Sequence, residues 1–173
     1  MQSLKQQDFW KQSKPENKDN PKVEIHADGG CEPNPGIGGW AAIIVTHDGN
    51  QIEIAGSERE TTNNRMELRA GIEAFKALQQ PCNVWFYSDS KYVIDGITSW
   101  IIKWMMNSWR RGKKRDAKAI LNVDLWKELE AESSRHQVQW RWVKGHNGNK
   151  NNERCDYLAR QAIKGVNLSN RNW

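Results

Sequence analysis

Apolar residues recur along this chain with two periods, and the switches between the periods mark its elements. Lys22–Ala27 alternates, with Val23, Ile25 and Ala27 on one face, as a strand does, and runs into Asp28-Gly29-Gly30. Gly38–His47 holds the near-continuous run Ala-Ala-Ile-Ile-Val, which suits a strand covered on both faces. Asp48-Gly49-Asn50 is a hairpin turn. Gln51–Ser57 alternates again, as an edge strand with Ile52 and Ile54 inward. From Thr61 the spacing lengthens to that of a helix, through Met66, Ala70, Ala74, Ala77 and Leu78, with Thr62 or Asn63 as N-cap and Pro81 beyond its end. Asn83–Ser88 predicts a buried strand that stops at Asp89. Short helical stretches follow over Ser90–Ile97 and Ser99–Trp109, then a helix over Asn122–His136 marked by Leu125, Trp126 and Leu129. Gln137–Val143 is a last edge strand, in which Val138, Trp140 and Trp142 alternate with Gln139 and Arg141. A final helix over Asn151–Lys164 carries Cys155, Leu158, Ala159, Ala162 and Ile163 on one face.

Strands, helix, strand, helices, strand and helix in that order predict an α/β domain with a mixed five-stranded sheet flanked by helices. The domain is expected over residues 22–166. Residues 1–21 are polar, with Phe9-Trp10 as their one apolar pair, and are expected to be a flexible tail; residues 167–173 are expected to be a second. Glu24 fits this scheme badly. The first strand alternates although a central strand should be apolar on both faces, which places Glu24 near an open end of the sheet.

Composition sharpens the picture in one place. The net charge is +5, yet Lys103–Lys118 alone holds seven basic residues and one acidic one, so the rest of the chain is slightly acidic. The positive charge is a patch, of the kind that meets a polyanion. No run of 18 apolar residues is present and Met1–Asp8 has no apolar core, which excludes a membrane span and a secretory signal. Three cysteines, Cys31, Cys82 and Cys155, without close spacing argue against a disulfide framework or a zinc site and suit a reducing, cytoplasmic setting. No extra apolar face stands out, so a monomer is expected.

The candidate chemistry rests on acids. Asp28 and Asp89 both follow strands, and in open α/β sheets ligands bind beyond the carboxyl ends of strands. Two parallel neighbours lie about 4.8 Å apart, which would set these aspartates side by side. Glu67 falls in the first turns of its helix and Asp156 at the start of the last one, while His146 sits in a Gly-His-Asn-Gly loop just before it. Taken singly, each is explained as a turn former, a helix-dipole acid or a loop residue. Gathered together, such carboxylates repel by about 1–4 kcal/mol per pair. Hard oxygen donors without Cys or His clustering select Mg²⁺ or Mn²⁺, and two such ions suit phosphodiester hydrolysis.

Asp-Gly-Gly-Cys-Glu-Pro-Asn-Pro-Gly, Thr-Thr-Asn-Asn-Arg-Met-Glu-Leu, Ser-Asp-Ser-Lys-Tyr-Val, Asn-Val-Asp-Leu-Trp and Val-Lys-Gly-His, followed ten residues later by the Asp of Asn-Glu-Arg-Cys-Asp, resemble, in order, the motifs of bacterial-type ribonuclease H, type 1. The resemblance spans about Lys22 to Lys164. It implies a ribonuclease H-like fold with sheet order 3-2-1-4-5 and endonucleolytic hydrolysis of the RNA strand of RNA–DNA hybrids, leaving 5′-phosphate and 3′-hydroxyl ends. It implies that Asp28, Glu67, Asp89 and Asp156 hold Mg²⁺ (or Mn²⁺), with His146 assisting proton transfer or product release. It further implies that Cys31, Asn34, Asn63 and Asn64 contact the RNA strand and that Thr62 and Asn122 hold a DNA phosphate. Trp100 and Trp104 would pack on DNA sugars, and the basic segment near 100–121 would be a protrusion gripping the hybrid. Lys91 stands where the family commonly has Gln, so its substrate contact departs from the pattern; Glu60, beside Arg59, stands where a basic residue is common. A non-catalytic hybrid-binding module would use the same groove, but would gain from fewer acids beside phosphates. Another nuclease or an integrase on the same sheet would not need the 2′-hydroxyl contacts.

Overall fold

The computed structural model describes residues 17–112, 118–145 and 147–169, with backbone alone for 167–169. Residues 1–16 and 170–173 of the two expected tails, the middle of the basic segment and His146 therefore lie outside the described residues.

Three strands, β1 (Lys22–Cys31), β2 (Gly36–Thr46) and β3 (Gln51–Thr61), form an antiparallel meander. Helix α1 (Asn63–Lys76) leads to β4 (Asn83–Ser88), which pairs parallel to β1. Next come α2 (Lys91–Asp95), a π-helical turn over Gly96–Trp100, and α3 (Ile101–Met106). A two-residue ladder joins Arg110–Arg111 to Lys118–Ala119. Helix α4 (Val123–Ser133), strand β5 (Gln137–Trp142) parallel to β4, and α5 (Lys150–Ser169) complete the chain. The main sheet runs β3-β2-β1-β4-β5, the order that the motifs imply. Among the described residues no helix is long and apolar enough to cross a membrane.

Two unequal layers cover the sheet. Val23, Ile25 and Ala27 of β1 join Ala42, Ile44, Val84 and Phe86 in one core with Leu68, Ile72 and Phe75 of α1 and Leu125, Trp126 and Leu129 of α4. Phe75 stacks on Phe86 at 5.5 Å and meets Trp140 of β5 edge-on at 5.7 Å. The opposite face has a smaller core, Ala41 and Ile43 against Cys155 and Ala159 of α5. The Glu24 side chain is half exposed on the part of this second face that α5 leaves open, a groove of about 440 Å³ lined by Lys22, Trp85, Tyr87 and Arg141 among others. His26, one alternation further in, is buried and stacks on Tyr87 at 4.8 Å.

Several boundaries differ from the pattern for physical reasons. β1 continues through Asp28-Gly29-Gly30 to Cys31, because β2 goes on pairing with it as far as Cys31–Gly38. β3 extends to Thr61, and Ile52, expected inward, is half exposed near the start of this edge strand while Ile54 packs on the core. The two helical stretches expected after Asp89 are joined by the π-helical turn, whose first residue, Gly96, lies where any Cβ would run into the buried Trp126 ring. α4 begins after Asn122, which is left-handed at φ 59°. α5 runs five residues past Lys164, to Ser169.

Gly39 lets α5 approach, since a Cβ there would collide with the main-chain oxygen of Ala159. Backbone cannot step aside as a flexible side chain can. Gly39→Ala is expected to cost about 3 kcal/mol, seen as a lower midpoint in urea or thermal denaturation. At Gly165 on α5 a Cβ meets nothing within 4 Å, so Gly165→Ala is expected to gain roughly 0.5–1 kcal/mol.

Candidate active site

The sheet forks where the acids gather. The β1–β4 ladder ends at His26–Tyr87, whereas the β1–β2 ladder continues for five more residues. Asp28 lies just past the last rung shared with β4, still within the strand and opposite Ala41. Asp89 follows Ser88, the last residue of β4. Glu67 comes from α1, whose start is set by Thr62: its hydroxyl accepts the Arg65 N–H at 3.4 Å. Gly29 then allows α1 to lie on β1, because a Cβ at Gly29 would overlap the Met66–Glu67 peptide. The result is that Asp28, Glu67 and Asp89 each offer a carboxylate oxygen within 4.8 Å of the other two.

These carboxyls pay electrostatically for their closeness. Burial pushes Asp28 up from 3.8 to about 7, with Asp89 and Asp156 adding to the rise and the Gly29 N–H, donating at 2.8 Å, opposing it. Glu67 is raised well above the usual carboxylate range, by burial first and then by Asp28 and Asp89. Its Oε2 is buried without a hydrogen-bond partner, although the residue as a whole is partly exposed. An orphaned, proton-hungry oxygen beside two more carboxylates is a donor set that a hard divalent cation would satisfy.

Asp156 does not join the three. Its Oδ1 takes the Arg160 Nε–H at 2.9 Å, one turn along α5, although its charge still raises Asp28 and Glu67. On the other side Asp89 is held by residues that the pattern did not single out. Asn152, buried on α5, donates to Asp89 Oδ2 at 3.3 Å, Trp142 Nε1 donates to the Asp89 carbonyl at 3.0 Å, and Gly145 leaves room for that carboxylate. Nothing in the residue type of Asn152 marks it out from its neighbours in Lys-Asn-Asn-Glu. Lys91 places its ammonium 5.1 Å over the Trp142 ring. His146 lies outside the described residues, between Gly145 and Asn147.

The other candidate contacts fall into two groups. Cys31 N–H donates to Asn63 Oδ1 at 2.7 Å and Asn63 N–H to Asn34 Oδ1 at 3.2 Å, so Cys31, Asn34 and Asn63 form one bonded cluster with exposed Asn64 beside it. The Cys31 thiol is turned to the Pro33 and Thr61 carbonyls. Across the start of α1, Arg65 grips Asp124 with two bonds of 2.8 and 3.1 Å and reaches Asn122 Oδ1 at 3.5 Å, which brings Asn122 to the Thr62 end of the helix. Trp100 and Trp104 pack at 5.7 Å; Trp100 is exposed, while Trp104 leans on buried Trp126 at 5.3 Å. With Tyr92, Lys103, Arg111 and Leu121 they line a groove of about 360 Å³.

Comparison with known proteins bears on this arrangement. The family model described as RNase H matches residues 20–164. A ribonuclease H of Bradyrhizobium diazoefficiens is 50% identical over 151 residues, 87% of this chain and 96% of its own. One from Wolbachia sp. subsp. Drosophila simulans is 51% identical over 142 residues, 82% and 95% of the two chains. Among solved structures, LC9-RNase H1, described as a type 1 RNase H with the type 2 active-site motif, superposes with a TM-score of 0.75. It is 34% identical, over 87% of this chain and 75% of its own.

The raised carboxyls have a consequence for stability. A group whose pKa is higher folded than unfolded stabilises fully below its unfolded value and loses that contribution as pH rises through its folded value. For Asp28 the loss runs from about pH 4 to above 7 and is on the order of 4 kcal/mol, at about 1.4 kcal/mol per pH unit of displacement. His26 and His136, which burial pushes down, act oppositely in part of this window, so the informative comparison is with Asp28→Asn. In chelator at pH 8 that variant is expected to melt higher than the parent, with the gap closing towards pH 4. Added Mg²⁺ is expected to raise the parent's melting temperature at pH 8 and to leave Asp28→Asn unmoved, as scanning calorimetry would read.

Proposed function

Because the chain belongs to the RNase H family, and is thus an endoribonuclease hydrolysing the RNA strand of RNA–DNA hybrids, we propose that Asp28, Glu67, Asp89 and Asp156 carry the reaction as ligands of divalent metal. The observation that supports this most is the mutual approach of three carboxylates within 4.8 Å around an unpartnered Glu67 oxygen. Divalent ions held by these carboxylates would supply the Lewis acidity that hydrolysis to 5′-phosphate and 3′-hydroxyl ends needs, at the attacking water and at the leaving 3′-oxygen.

The protein's own part is positioning. Asp28 stands on a strand laddered to β2, and Glu67 on a capped helix that Gly29 admits. Asp89 is oriented by the Asn152 amide. Asp156, paired with Arg160 on α5, would be the fourth carboxylate to hold the metal, and His146 moves a proton at the leaving group or assists release. Cys31, Asn34, Asn63 and Asn64 face the RNA strand, where the 2′-hydroxyl tells RNA from DNA. Thr62 and Asn122 take a DNA phosphate, Trp100 and Trp104 the DNA sugars, and Lys91 the backbone near Trp142. The basic segment grips the duplex beyond. Mg²⁺ is the ion of choice, with Mn²⁺ as a substitute. The protein acts as a monomer in the cytoplasm, a setting that its free Cys31, Cys82 and Cys155 suit.

A labelled RNA–DNA hybrid, duplex DNA and duplex RNA, each with Mg²⁺ and with EDTA, test the assignment together with variants. Metal-dependent cutting confined to the RNA strand of the hybrid is expected. Asp28→Asn is expected to abolish it without loss of fold, and His146→Ala to slow it roughly a hundred-fold. Undiminished turnover by Asp28→Asn would remove that residue from the ligand set, and binding of hybrid without cutting would leave only a recognition module.

A further inference from the structure

The chain enters the domain on the open part of the second sheet face. Along β4, Asn83, Trp85 and Tyr87 fall on that face, opposite the core positions Val84 and Phe86, and Gln137, Gln139 and Arg141 do the same along β5. Asn17 is tied to the first rung of this ladder. Its N–H donates to Gln137 Oε1 at 2.7 Å, and its carbonyl accepts the Asn83 Nδ2–H at 2.8 Å. The Asn83 amide also donates to the Asn20 carbonyl at 3.2 Å, and the Asn83 N–H to the Pro21 carbonyl at 2.9 Å. Asn83 Oδ1 is buried there with no partner among the described residues. Two residues further along β4 the groove of about 440 Å³ opens. The Trp85 and Tyr87 rings are partly exposed in it, Lys22 stands 5.6 Å over Trp85, and Glu24 and Arg141 also line it.

The geometry points to this chain's own N-terminal segment as the occupant of that groove, with Phe9 and Trp10 laid on Trp85 and Tyr87. Phe9-Trp10 is the one apolar pair of the segment, eight and seven residues before Asn17. Eight residues of chain span up to roughly 29 Å, whereas Trp85 lies only about 7 Å along the strand from Asn83. The pair therefore reaches the groove with slack. A short tether holds its ligand at an effective concentration on the order of millimolar, which favours the chain's own segment over a separate molecule of equal fit. Asp8 and Lys11 flank the pair, opposite in sign to Arg141 and Glu24 of the groove. The RNase H match begins at residue 20, so the contact belongs to what this chain carries ahead of the shared fold.

The full-length wild-type protein tests this without any change of sequence. In NOE spectra, ring protons of Phe9 or Trp10 are expected to show cross-peaks to those of Trp85 or Tyr87, undiminished relative to the core contacts on dilution. Phe9→Ser with Trp10→Ser is expected to erase them, to shift the Trp85 indole N–H resonance and to lower the melting temperature by about 2–4 °C. In a Trp85→Ser background the same two changes should leave the melting temperature where it was. Absence of those cross-peaks in the wild type overturns the proposal and leaves the face to a separate partner. Cross-peaks that fade on dilution overturn it too, because a second copy then covers the groove. So does a loss of stability that persists without Trp85, which seats the pair elsewhere on the domain. Hybrid cleavage by the Phe9→Ser, Trp10→Ser protein is expected to match the wild type, so this outcome and that of the catalytic assignment are read separately.

Discussion

Like charges forced together at the fork of a sheet govern this molecule. Three carboxyl groups within 4.8 Å of one another, one of them with an unpartnered buried oxygen, oppose folding on their own. The fold withstands them because the strain is local and the supports are general: a two-layer core, a capped helix and a ladder that runs on past the fork. Glycine is used where backbones must touch. Gly29 admits α1 to β1 beside Asp28, and Gly39 admits α5 to β2. Together these close approaches set the spacing of the elements that carry the acids.

The same economy shapes recognition. Arg65 spends its guanidinium on Asp124 and Asn122, tying the starts of α1 and α4 into one unit. Asn122 then adopts a left-handed backbone between that arginine and Tyr92. Thr62 and Arg65 at the start of α1 and Glu67 of the acidic cluster just behind thus stand on adjoining turns of one helix, so the tie to α4 and the placing of an acid share a single support.

Much of this could be read from residue order. β4 occupies the span that its apolar run indicates, Thr62 caps α1, and Asp28 and Asp89 converge just beyond the parallel ladder of β1 and β4, although β1 itself does not end at Asp28. What escaped the pattern depends on contacts distant in sequence. β1 outlasts its alternation because β2 keeps pairing with it, which periodicity along one strand cannot convey. Glu24 looked misplaced only while both faces of the sheet were taken as covered; α5 shields Ile43 and stops short of Trp85 and Tyr87. Asn152 resembles its polar neighbours until folding sets it against Asp89, and the tie of Asp156 to Arg160 keeps a fourth acid apart from the other three.

The fork itself gives the acidic centre walls of unequal stiffness. Asp28 is borne by a strand stitched to β2 on both sides of it, whereas Asp89 stands where β4 has ended, steadied by an amide and an indole from other elements. Cations of differing radius would thus be met by one jaw that holds its place and another that follows the ion, and tolerance of ionic size becomes a property of where a strand stops.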